Sequence, residues 1–116
     1  MNRKELLSKL REFTPNTLIR AHYCGLIVAI DRVESYRGSY DSISLSIDEK
    51  NFKNYYTVEN LIKDLEETNT LHGYKGGEYG VNEEAHIYVS PYGYSSNQYV
   101  DEVRNLNGFC ELMTID

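Results

Sequence analysis

Apolar residues recur at helical spacing at the start of the chain. Leu6, Leu7, Leu10 and Phe13 form one stripe, which predicts a helix over Asn2–Phe13. Asn2 followed by Glu5 has the form of a capping box, and Pro15 stops the helix because the residue before a proline is pushed out of the α region. Thr57–Asn69 reads as a second helix, with Val58, Leu61, Ile62 and Leu65 on its stripe and Thr57 as N-cap. The acidic residues of its other face read as a solvated surface.

Elsewhere the period falls to two. Ile43, Leu45 and Ile47 alternate with serines over Ser42–Asp48, a half-buried strand. Thr17–Tyr23 and Leu26–Val33 are rich in branched and aromatic residues, and both also read as strands. Leu26–Ile30 is apolar at successive positions, which predicts a central strand covered on both faces. Ala85–Ser90 is a short strand with His86 and Tyr88 facing away from Ile87 and Val89. Gln98–Leu106 fits a strand or a helix. Asn107–Gly108 favours the strand, with Phe109–Ile115 returning as its hairpin partner. The expected fold is α+β: one domain over residues 1–116, with an antiparallel sheet of about five or six strands and two helices packed on one face.

Composition bounds the function. A chain of 116 residues with 41% hydrophobic and 26% charged residues is ordinary globular material. No apolar run has membrane-spanning length and no secretion signal is read at the start, so a cytoplasmic protein without membrane association is expected. Cys24 and Cys110 lie among apolar strand residues and read as buried free thiols in a reducing compartment, although spacing alone leaves a bridge between them open. Net charge is −6, divided into +3 over residues 1–40 and −9 over residues 41–116. That balance argues against direct nucleic-acid binding and leaves room for acidic mimicry of a nucleic acid.

Catalytic and metal motifs are weak. His22-x-Cys24 would put two ligands on one strand face, but paired ligand elements are missing and no metal or cofactor is expected. Glu83–Glu84 reads as a charged turn, and no serine sits in a G-x-S-x-G elbow. Tyrosine and glycine carry more information. The stretch His72–Tyr99 holds six of eleven tyrosines and five of eight glycines. Gly73–Tyr74–Lys75–Gly76–Gly77 lets backbone amides and a lysine approach an anion without being a Walker loop. Ser35–Tyr36–Arg37–Gly38–Ser39–Tyr40 sets an arginine between two tyrosines, which suits a planar anionic ligand or a protein hot spot. The candidate binding residues are Tyr36, Arg37, Tyr40, Tyr74, Lys75 and Tyr79, then Tyr92 and Tyr94 in the loop after Ala85–Ser90. The tyrosines would stack, and Arg37 and Lys75 would pair with an anion.

Glu34–Tyr40, Gly73–Tyr79 and Val89–Gly93, in this order around a helix carrying Leu61, Ile62 and Leu65, resemble segments of a group of small uncharacterised bacteriophage-encoded proteins. The resemblance spans most of the chain and brings no catalytic residues. It implies a phage accessory protein in the host bacterial cytoplasm, of the kind that counters host defence. The expected function is that of a non-enzymatic binder that sequesters a nucleotide-like signal or a defence protein, with self-association to a homo-oligomer as a further expectation. The alternatives are an acidic DNA mimic, a small nucleotide hydrolase and an assembly factor.

Overall fold

The computed structural model describes residues 1–37, 41–47, 55–67, 70–73, 78–80, 85–91 and 97–115, with backbone alone for 35–37, 41, 70–73 and 78–80. In chain order the elements are α1 (Arg3–Leu10), β1 (Ile19–Tyr23), β2 (Leu26–Val28), β3 (Ile30–Arg37), β4 (Asp41–Ile47), α2 (Val58–Glu67), β5 (Thr70–Gly73), β6 (Glu78–Gly80), β7 (His86–Pro91), β8 (Gln98–Leu106) and β9 (Phe109–Ile115).

Both helices start as the sequence dictates. The Asn2 side chain accepts from the Glu5 amide at 2.8 Å, and Glu5 accepts from the Asn2 amide at 3.2 Å. Thr57 Oγ1 accepts from the Asn60 amide at 3.1 Å, while the amides of Val58 and Glu59 donate to the carbonyls of Thr17 and Pro15. The far end of α2 is capped by α1: the Arg3 guanidinium donates twice to the Leu65 carbonyl, at 2.9 and 2.7 Å.

The sheet differs from the expected antiparallel one. Seven strands run in the order β2-β1-β9-β8-β7-β4-β3 as a mixed, curled half-barrel, and the short β5 and β6 continue beyond β3. Three pairs are parallel: β1–β9, β4–β7 and β3–β5. Parallel neighbours need long crossover connections. Residues 48–85, which contain α2, supply one between β4 and β7. Only the hairpins announce themselves locally, so the crossovers escaped a reading built on consecutive short turns.

The curl has a visible origin. β2 and β3 are separated by Ala29 alone, yet β2 pairs with β1 at one end of the seven-strand order and β3 with β4 at the other. One bent run of chain therefore draws the two ends of the sheet toward each other. This also corrects the reading of Leu26–Ile30 as a doubly covered strand: β2 is the outermost strand, with Leu26 and Ile27 exposed. Val28, Ala29 and Ile30, where the run bends inward, are buried.

The core lies on the helix side. Leu6, Leu7 and Leu10 of α1 and Val58, Leu61 and Leu65 of α2 form one cluster with Ile19, Ala21, Ile43, Leu45, Ile47, Ile87, Val89, Val100 and Leu112 of the sheet. The alternation expected for β4 and β7 holds, with two additions: Ser46 and Ser90 are also buried, and the Ser46 hydroxyl donates to Glu34 Oε2 at 3.0 Å. Gln98–Leu106 is a strand, joined to β9 through Asn107 and Gly108, whose φ values of 53° and 82° suit a type I′ hairpin. No helix among the described residues is long and apolar enough to cross a membrane.

Candidate functional site

Two regions of the sheet carry the residues of interest: the end where β3 and β5 finish, and the outer face turned away from the helices.

At the sheet end, backbone register makes the first arrangement. Tyr36 pairs with Ser42 on one side and His72 on the other, and Arg37 pairs with Asp41 and Gly73. Because β3 and β5 are parallel, both strands finish at the same end. Tyr79 of β6 pairs with Leu71, so the strand carrying it lies two places from β3, about 10 Å at the usual strand spacing. The structure thus brings the backbone of Tyr36, Arg37 and Tyr79 to one edge. Tyr40, Tyr74 and Lys75 fall outside the described residues, as do Tyr92 and Tyr94. The last two follow Pro91, which pairs with Ile47, itself the partner of Ile30 at the opposite end of β3. The sequence reading joined the 91–96 loop to the other two loops. The strand leading into it ends at the far side of the sheet.

The outer face holds a cluster that the sequence reading missed. Along β1, Ile19, Ala21 and Tyr23 point into the core, which leaves Arg20 and His22 outside. On β9, Cys110 and Leu112 are buried in the core, which leaves Glu111 on the outer side beside Arg20, its register partner. The Glu111 side chain is only 2% exposed. Arg20 donates to it from Nη2, and from Nε at 3.2 Å to the second oxygen, which also lies 3.3 Å from His22 Nε2. This hydrogen bonding raises the Arg20 pKa above its ordinary value, and burial opposes the rise. The guanidinium lies 4.0 Å over the Phe109 ring, which Tyr55 meets edge-on at 6.3 Å. A carboxylate with both oxygens occupied locks β1 to β9. Alternation of charged with buried residues on β1 was the available signal. The His22-x-Cys24 spacing obscures it, because it draws His22 toward a metal reading.

Cys24 itself corrects that reading. It is exposed and stands in the turn between β1 and β2 with φ 50°, off the strand face that carries His22. Both thiols are free. Cys110 alone is buried, which pushes its thiol up to about 12, with the Glu111 charge adding to the rise. Among the described residues, no three His, Cys, Asp or Glu side chains converge to hold a metal ion.

Further along the outer face, Tyr99 makes ring contacts with Tyr88 at 5.7 Å and with His86 at 5.6 Å. After the bulge between Val100 and Glu102, the outward residues of β8 are Glu102, Arg104 and Leu106, in register with Met113, Glu111 and Phe109. Arg104 Nη2 donates to Glu102 at 2.9 Å.

No family model matches this chain, and neither a curated protein nor a solved structure does.

Proposed function

We propose that this protein is a small non-enzymatic binding protein that captures a nucleotide-like signal at the sheet end where β3 and β5 finish. The parallel β3–β5 register carries the reading, because it sets Arg37 beside Gly73 and so draws two tyrosine- and cation-bearing segments of the sequence to one edge. Arg37 and Lys75 pair with the anionic group, and Tyr36, Tyr40, Tyr74 and Tyr79 supply flat faces for a base. Tyr92 and Tyr94 are left out of this set, because β7, the strand that precedes them, ends at the opposite end of β4 from the Tyr36–Ser42 pairing. In the setting implied by the phage resemblance, sequestering such a signal inhibits a host defence system.

A thermal-shift panel of cyclic nucleotides and ADP-ribose derivatives tests the reading. At least one member is expected to raise the melting temperature of the native chain and to leave that of the Arg37→Ala/Lys75→Ala variant unmoved. Flat curves across the panel would remove the small-ligand reading.

A further inference from the structure

Along β8 and the end of β9 the outer face of the sheet carries exposed side chains, and their chemistry selects an occupant. Outward along β8, the side chains read Tyr99, Glu102, Arg104, Leu106: apolar, acidic, basic, apolar. Read in reverse, this row is its own complement. A second β8 laid antiparallel across it sets Tyr99 against Leu106 and Glu102 against Arg104, at both ends at once. The flanking strand β9 extends the pattern, with Met113 and Ile115 beside the tyrosine end and Phe109 beside the leucine end. Ile115 and Leu106 are 49% and 40% exposed, and Ile27 adds apolar surface on β2.

Charge points the same way. The chain carries −6, so two copies repel in general. Among the described residues of β1, β9 and β8, charges of this face stand in pairs: Arg20 with Glu111 and Arg104 with Glu102. The face therefore meets another copy of itself without net repulsion. Five strands, β2 to β7 in sheet order, span about 20 Å, and their lengths of 3, 5, 7, 9 and 6 residues average about 20 Å. That footprint, about 400 Å² before side-chain relief, is about half of the roughly 800 Å² each partner gives to a standard interface, which is the size of a weak and reversible one.

We propose that two copies of this chain pack outer face to outer face about a two-fold axis through the Glu102–Arg104 pair, so that Arg104 of each copy reaches Glu102 of the partner subunit. The sheets stack at the usual separation of about 10 Å. The sheet ends of both copies lie outside the interface, so the dimer stands independently of the nucleotide reading.

Sedimentation velocity over a wide concentration range, with the full chain, tests the proposal. The native protein is expected to sediment as a dimer in reversible exchange with monomer. Glu102→Arg puts arginines against arginines across the axis and is expected to weaken the dimer by about 100-fold. Adding Arg104→Glu restores the alternation with reversed signs and is expected to restore the dimer. Both positions are exposed, so melting temperatures of the variants should stay close to the native value. Ile115→Asp should also weaken association. A native chain that remains monomeric at every concentration overturns the proposal. So does a dimer indifferent to Glu102→Arg, or one that the double exchange fails to restore.

Discussion

Glu111 shows how a single residue fixes a neighbourhood. A carboxylate taken out of water is tolerated when its oxygens are filled, and Arg20 and His22 fill them. Glu111→Gln leaves the half-buried Arg20 guanidinium with a weaker partner and is expected to cost about 3 kcal/mol in urea denaturation. Exchanging both partners for apolar residues of similar volume, Arg20→Met with Glu111→Leu, should recover most of that loss. A second expectation concerns pH. The Cys110 thiol is pushed up to about 12 from 9.0, by burial first and then by the Glu111 charge. The Tyr56 hydroxyl, which donates to the Asp31 carbonyl, is pushed up to about 12 from 10.0 by burial, with the charges of Asp64 and Asp31 adding to it. The folded chain keeps both protons at pH values where the unfolded chain releases them. Stability is therefore full below about pH 9 and declines as pH rises toward about 12. Urea midpoints measured from neutral to alkaline pH should show this decline, and Tyr56→Phe should make it shallower. An equally steep decline in Tyr56→Phe would show that this hydroxyl does not contribute.

At the scale of elements, the two tight turns explain why the hairpins form where they do. Cys24–Gly25 and Asn107–Gly108 both hold positive φ at each position, the geometry whose twist matches paired strands. Nothing lies within 4 Å of where a Cβ would stand on Gly108, so Gly108→Ala meets only backbone strain. It should cost about 1–2 kcal/mol in the same denaturation assay, with β8 and β9 still paired. Asn107–Gly108 was legible in the sequence because Asn-Gly is the common pair for this turn. Cys24–Gly25 was not, since cysteine seldom takes that place, and the His22-x-Cys24 spacing instead suggests two side chains on one strand face. Both helices and the alternation of β4 and β7 were legible because each depends on local period and capping. The parallel pairings and the outermost position of β2 were not. They depend on which distant strands meet, and no short window of sequence carries that. The candidate site divides in the same way. Tyr36, Arg37 and Tyr79 could be chosen by residue chemistry, but only the β3–β5 register groups them and parts them from the strand leading to Tyr92 and Tyr94.

At the scale of the molecule, a curled sheet filled by two helices leaves two surfaces for work: the outer face and the sheet end. The first sets paired charges among tyrosine, leucine and isoleucine, the pattern on which the proposed packing against a second copy rests. At the second, backbone register brings Tyr36, Arg37 and Tyr79 to one edge, and the proposed function has this end offer an anion a local site in a chain that is acidic from residue 41 onward. The most direct test of that claim is a calorimetric titration of ADP-ribose and cyclic AMP into the native chain and into Arg37→Ala/Lys75→Ala. Saturable binding of one of these ligands by the native chain is expected, weakened by about 100-fold or more in the variant, as the loss of two charge-assisted contacts requires. Equal affinity in the two proteins, or no heat from either ligand with the native chain, would contradict it.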